Sequence, residues 1–323
     1  MTTDLPELPE VPPGRRVVVR YRLPAGYPHQ FTDVIGELLS LDPLTVRTAA
    51  GETVSVATDR VVALKPLGPR PIRTSEIRAL EAAATDGWPG IHRTWVDGWL
   101  AAAGNGFTNR ANSAVPLGDS NGPAQTHPDV LHRLGEWYTA HGLPLRLRIP
   151  DRLAAVPPGW RTWSETMVLG IDIENFVLPQ GPSMVRIDPE PAPAWLELHR
   201  FRGEDRVDVP PPLPDPEVLT AVRDGDVGFA TLGLPDPLAI ARGALTTAPD
   251  GRRWLGLTCV AVAAPHRRRG LGTLVCAELI RWGHRHAATH AYVQVEADNA
   301  AALAMYGDMG FVEHHHYRYA APQ

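Results

Sequence analysis

The most restrictive feature of this chain is a junction. An apolar stretch from Trp254 to Val262 runs into Pro265, three consecutive arginines (Arg267, Arg268, Arg269) and two glycines, Gly270 and Gly272. Apolar residues at helical spacing follow from Thr273 to His286. Such an order predicts a strand, a tight loop and a helix. Glycines carry no Cβ, so the backbone can bend sharply and a ligand can come close. The N–H groups of the helix's first turn, with Leu271 and Thr273 nearby, lack intrahelical partners and carry the positive end of the helix dipole. That dipole contributes about 0.3–1 kcal/mol toward an anion, and up to about 2 where partly buried. The three arginines add charge-assisted bonds suited to phosphate oxygens. The junction reads as a cradle for a diphosphate.

Downstream, residues Ala291 to Glu296 read as a strand. Asn299 then opens a helix that carries Ala302 and Tyr306 and closes at Gly310 and Phe311. The spacing Arg267-x-x-Gly270-x-Gly272 and the segment from Asn299 to Phe311 occur in this order, with one helix and one strand between them. Together they are similar to two motifs of the GCN5-related N-acetyltransferases. The match is close over about the last 70 residues and holds in outline over about the last 130. The resemblance implies that family's α+β (or α/β) fold, a mixed central sheet flanked by helices, with acetyl-CoA as cosubstrate. It also implies that Val260, Ala261 and Val262 line the pantetheine arm. Residues Arg267 to Thr273 then take the diphosphate, with Asn299, Ala302 and Tyr306 completing the cofactor site.

The implied chemistry is direct attack of an acceptor primary amine on the thioester. Main-chain amides at Val260 and Val262 polarise the carbonyl, so no side-chain nucleophile is needed. Cys259 alternates away from Val260 along a regular strand and is not expected to act as one. An alkyl amine, with a pKa of about 10.4, must lose a proton, and the departing thiolate must gain one. Tyr306 matches the family's acid. Glu296 shares a strand face with Tyr292 and Gln294 and is the candidate base, with Asp298 next; either carboxylate also reads as a plain helix cap.

Composition narrows the setting. A chain of 323 residues predicts two or three domains. Its net charge of −5 argues against general nucleic-acid binding. The two cysteines, Cys259 and Cys276, read as small buried hydrophobes. The triplet His314 to His316, with His284, His286 and His290, lacks the cysteine and carboxylate spacing of a zinc site, so no metal is expected. There is no secretory leader pattern and no run of about 20 apolar residues, which predicts a cytoplasmic protein without a membrane role. Assembly stays open between a monomer and a homodimer.

Residues 1–14 are rich in proline and acid and are expected to be flexible. Within 15–68, short β-rich runs at Arg16–Arg22, Asp33–Ser40, Leu44–Thr48, Thr53–Ala57 and Arg60–Leu64 predict a small barrel resembling SH3-like modules, with a scaffold or dimerisation role. Two domains then follow, at 75–180 and 190–323, in which a similar order of elements repeats. The first has Gly118 to Pro128 in place of the arginine–glycine loop, acidic and broken by prolines. It reads as a degenerate acetyltransferase-like copy that holds no CoA. Thr94–Ala102 and Trp195–Phe201 are each expected to be a strand, and Asp208–Pro216 a loop by the acceptor entrance. Two other functions remain open: a non-catalytic CoA-binding sensor, and a small-molecule acetyltransferase similar to mycothiol synthase.

Overall fold

The computed structural model describes residues 11–68, 70–120, 122–203 and 211–323, and the chain forms two compact units, residues 1–71 and 72–323. In the first unit, β1 (Arg16–Arg22), β2 (Phe31–Leu41), β3 (Leu44–Thr48), β4 (Thr53–Val56) and β5 (Val61–Pro66) form one antiparallel sheet in the order β4-β3-β2-β1-β5. Alternation sets its inner face. Val17, Val19, Leu38, Leu44 and Val46 are fully enclosed, while Phe31, Ile35 and Leu39 on β2 point outward. Of the segment 1–14 expected to be flexible, only 11–14 are described. Residues 1–10 lie outside the described residues, but Val11 is buried in the barrel core.

The second unit contains α1 (Thr74–Asp86), β6 (His92–Val96), β7 (Trp99–Ala103), β8 (Ala114–Pro116), α2 (Pro128–Ala140), β9 (Leu147–Pro150) and β10 (Arg161–Asp172). It continues through β11 (Val185–Asp188), α3 (Pro193–Arg200), α4 (Pro216–Thr220), β12 (Asp226–Leu232), β13 (Ala239–Thr247) and β14 (Arg253–Val262). It ends with α5 (Leu271–Arg285), β15 (His290–Glu296), α6 (Ala300–Asp308) and β16 (Val312–Ala321). All its strands join one 11-stranded sheet ordered β11-β12-β13-β14-β15-β10-β16-β9-β8-β7-β6.

Apart from the edge strand β11, that order reads the same from either side of the β10–β16 pair. The series β12, β13, β14, β15 on one flank corresponds to β6, β7, β8, β9 on the other. In each series the last two strands pair in parallel, β14 with β15 and β8 with β9. The two closing strands are exchanged. β10, which ends the first series in sequence, pairs with β15, and β16, which ends the second, pairs with β9. β10 and β16 pair with each other at the centre. Each is preceded by a left-handed glycine and an aromatic residue, Gly159-Trp160 and Gly310-Phe311. The expectation of separate domains at 75–180 and 190–323 therefore gives way to two interlocked copies on one sheet, because neither copy is complete without the other's last strand.

The helices cover the two faces. On one, Val275, Cys276, Leu279 and Ile280 of α5 pack on Leu255, Leu257 and Val293. The corresponding α2 packs Val130, Leu134 and Tyr138 on Trp99, Leu147 and Ile149. On the other, Leu80, Ala83 and Ala84 of α1 meet Trp254, Tyr292, Tyr317 and Tyr319. Within that packing Glu81 is fully buried between Arg148, 3.0 Å away, and His315, 2.9 Å away.

Two local readings of the sequence are corrected. Trp195–Phe201, expected as a strand, lies mostly in α3. Pro193 starts the helix and Trp195 is fully buried, donating its indole N–H to Ala230 O at 3.1 Å. Thr94–Ala102, expected as one strand, is the β6–β7 hairpin. It turns at Asp97-Gly98, both with positive φ.

Candidate acetyl-transfer site

β14 and β15 run together only from Trp254↔His290 to Leu257↔Val293; beyond Leu257 no pairing between them continues. The two strands thus diverge toward their C-terminal ends, and Thr258 to Val262 are only partly covered. On its other edge β14 also leaves regular register. Ile240 pairs with Ala261 and Arg242 with Thr258, so Ala241 alone faces both Cys259 and Val260. This is a β-bulge, and Cys259 has a φ of 55°. Val260 and Val262 pack toward α5, whereas Cys259 and Ala261 pack toward α3.

After Val262 the chain makes a single tight turn over Ala264–His266. It is tied down by Ala263 N–H to Leu238 O at 2.9 Å and Ala264 N–H to Gly203 O at 2.6 Å. Arg267 is part of this anchoring: its Nε donates to Val262 O at 3.2 Å and its Nη2 to Arg202 O at 3.0 Å. Arg268 and Arg269 are exposed, and Arg269 Nη1 lies 3.1 Å from His266 Nδ1.

Gly270 then enters α5 in the left-handed region, φ 75°, with no side-chain cap on the helix. The helix's own bonding starts with Leu274 N–H to Gly270 O, so the amides of Leu271, Gly272 and Thr273 have no helical acceptor. A Cβ on Gly270 would meet nothing within 4 Å, whereas one on Gly272 would come to 3.1 Å from Met305 Sδ. The first glycine keeps the approach open, and the second lets α5 pack closely beside α6. A cleft of about 580 Å³ adjoins this helix end, lined by Phe176, Gly270, Thr273, Ala277 and Met309 among others.

Asn299 caps α6, its Oδ1 accepting from Ala302 N–H at 3.1 Å, so both residues serve that helix start. Tyr306 is buried, with its ring edge-on to Phe311 and its hydroxyl 4.0 Å from Cys276 Sγ. Burial pushes the Tyr306 pKa well above its ordinary value, so the phenol keeps its proton. Glu296 is exposed at the end of β15, opposite Thr166 of β10, and Asp298 is exposed beyond it. His315 is taken up by Glu81, while His316 lies beside Glu165.

Sequence reasoning missed one group. His199, near the end of α3, lies close to the Cys259 thiol, and its ring packs against Trp195 and Phe107. The signal was present in the one-turn spacing of Trp195 and His199 after Pro193. It was hidden because the segment read as a strand.

Comparison with known proteins places the chain in a family. Residues 74–320 match the family described as Probable histone acetyltransferase Rv0428c C-terminal, and residues 11–65 match the Rv0428c N-terminal Sm-like domain. The second match is to a small β domain, as is the expected SH3-like module. A Mycobacterium tuberculosis protein named Probable histone acetyltransferase Rv0428c is 38% identical over 313 residues, covering 96% of this chain and 95% of its own. The Bacillus subtilis Uncharacterized N-acetyltransferase YobR is 26% identical over 274 residues, covering 75% and 98%. Among solved structures, a GCN5-related N-acetyltransferase from Kribbella flavida has a TM-score of 0.49 at 18% identity, covering 76% of this chain and 95% of its own. The protein is an acetyltransferase enzyme. Within that class, the chain belongs to the Rv0428c family.

Proposed function

We propose that this enzyme transfers the acetyl group of acetyl-CoA directly to an acceptor primary amine at the mouth of the β14–β15 cleft. The observation that carries this reading is the uncapped, glycine-opened start of α5 directly after the diverging, bulged end of β14. Amides of Leu271, Gly272 and Thr273 bind the diphosphate, with Arg268 and Arg269 beside them. The main chain from Val260 to Val262 takes the pantetheine arm and polarises the thioester carbonyl. Tyr306 supplies the proton for the departing thiolate, although burial, which keeps the phenol protonated, also makes it a weaker acid. Asn299 and Ala302 act indirectly, by fixing the start of the helix that carries Tyr306.

In this reading the first copy on the sheet binds no CoA, and the N-terminal barrel acts as a scaffold or dimerisation module. The name of the mycobacterial relative puts protein lysines among the acceptors to be tried, beside polyamines, aminoglycosides and peptide α-amines. The test is calorimetric titration of acetyl-CoA into the full chain, followed by a panel of those amines. One site per chain is expected, abolished in Gly270→Glu, whose carboxylate would stand in the anion's place. Two sites would overturn the silent first copy, and no binding would overturn the transferase reading.

A further inference from the structure

The transfer reaction needs a group that takes the amine's proton, and the carboxylates nearest the end of β15 are exposed. A more enclosed arrangement sits at the β14 bulge. In a regular strand Cys259 would be one of a simple alternating series. The bulge resets that series, and the left-handed backbone at Cys259 turns its thiol to the α3 side of the sheet, away from α5 and the anion cradle. The next residue, Val260, contributes one of the amides assigned above to the thioester carbonyl. The thiol thus stands next to the place assigned above to the reacting carbon, on the α3 side of the sheet.

Its partner is held firmly. His199 packs against Trp195, ring centroids 5.3 Å apart, and edge-on to Phe107 at 6.4 Å. Trp195 is itself fully buried and hydrogen-bonded. The thiol lies close to His199 and to the Thr258 side chain. Beneath it lies Arg242, fully buried, with its guanidinium 4.5 Å from the Trp88 ring centroid and bonded to Leu219 O, Gly87 O and Ala221 O. A buried guanidinium whose protein acceptors are neutral carbonyls favours a negative charge close by.

We propose that Cys259 and His199 form the proton-accepting pair of this reaction, the Cys259 thiolate taking the amine's proton and the His199 imidazolium positioning that thiolate. The inference rests on the reading that acetyl-CoA lies along Val260 to Val262. In the step, the amine nitrogen bonds to the acetyl carbonyl carbon and the carbon–sulfur bond of the thioester breaks. The nitrogen's proton passes to Cys259 Sγ, and the departing CoA thiolate takes the proton of Tyr306. Cys259 then gives up its proton and Tyr306 regains one through solvent, so the products are the amide and the CoA thiol.

The charged surroundings agree with this assignment. Burial opposes the Cys259 thiolate, but His199 and then Arg242 outweigh it and bring the thiol's pKa below its ordinary value. Burial likewise opposes a charged His199. Cys259 outweighs it and raises the imidazole's pKa, while Arg202, just beyond α3, works the other way. Behind Arg242 stand Tyr292 and Arg110. Cys276 is the contrast: buried without a cation beside it, its thiol is pushed up to about 12.

The test uses the full-length chain and iodoacetamide, with alkylation mapped by mass spectrometry between about pH 5 and pH 9. Cys259 is expected to alkylate well below the ordinary thiol range and Cys276 not at all. In His199→Gln the Cys259 profile should move up toward that of a free thiol. With the amine identified by the panel, Cys259→Ala and His199→Gln should each lower kcat about 100-fold and displace the acid limb of its pH profile, with acetyl-CoA affinity unchanged. An ordinary alkylation profile, or unchanged turnover in Cys259→Ala, would overturn the proposal. So would an acetyl group found on Cys259 after exposure to acetyl-CoA without amine, since the thiolate would then be a nucleophile. Failure of the unaltered chain to bind acetyl-CoA sinks the transferase reading itself, whatever the alkylation profile, so the two failures are read separately.

Discussion

The two copies on the shared sheet place a helix at the same point, after the third strand of each series, yet they finish its N-terminus in opposite ways. α5 begins with a left-handed glycine, no side-chain cap and no acid in its first turn, with exposed arginines just before it. α2 begins with Pro128, which has no N–H to offer, and its next donor, Asp129 N–H, points to His127 Nδ1 at 3.4 Å. Asp129 also puts a carboxylate in that first turn. Before α2, Gly118 N–H bonds Gly98 O, and Asp119 bridges Gly122. One fold thus yields an open, uncapped helix start in one copy and a closed one in the other. The fold supplies the same geometry twice, and a few residues at each helix terminus decide which backbone amides stay free.

The copies differ again between their last two strands. The second places α6 there, with Tyr306 turned into the core, whereas the first passes from β9 to β10 through turns. Tyr306→Phe removes the hydroxyl alone. It should leave acetyl-CoA binding intact and lower turnover by about 10²–10⁴-fold, read as a fall in kcat at constant acetyl-CoA affinity. Unchanged kcat would leave α6 as mere packing and erase this second contrast.

What the copies share is more expensive to disturb than a surface contact. Glu81 on α1 joins Arg148 of β9 to His315 of β16, a strand donated by the other copy. Burial disfavours the Glu81 carboxylate, but Arg148 and His315 outweigh it and hold its pKa below the ordinary value. Glu81→Gln leaves Arg148 buried without its counter-charge and should cost about 3–5 kcal/mol. A depressed carboxylate pKa means the stabilisation is present above the ordinary carboxylate range and is lost as pH falls through the folded value. Denaturant unfolding should therefore show a wide gap between wild type and variant at neutral pH that narrows in acid. A gap constant with pH would show that the charge is not what links the copies.

The sequence made the second copy's site far more legible than the fold around it. Strand, loop and helix at Trp254–Arg285 declare themselves through proline, glycine and arginine in a fixed order, and Asn299 to Phe311 through a cap and a closing glycine. These are local signals. The exchange of β10 and β16 is not local: no residue in either strand announces which copy it will join, since alternation fixes only the buried face. α3 was hidden because Leu196 and Leu198 alternate like a strand while Trp195 and His199 sit one helical turn apart. Cys259 was set aside on regular alternation, which the bulge at that residue breaks.

The smallest expected effect probes the comparison most directly. If α2 fails to bind only because it carries an acid, reversing that charge should create a second site. If its amides are structurally withdrawn, nothing should appear. Asp129→Arg tests this, because Asp129 is exposed and the change leaves Pro128 and the preceding loop intact. Placing a cation at a helix N-terminus should destabilise by about 0.3–1 kcal/mol. Acetyl-CoA titration should still give one site per chain, because Pro128 lacks an N–H and the turn at Gly118 is already bonded. A second site in this variant would mean that charge alone silenced the first copy, and that the backbone of both copies is equally able to hold a diphosphate.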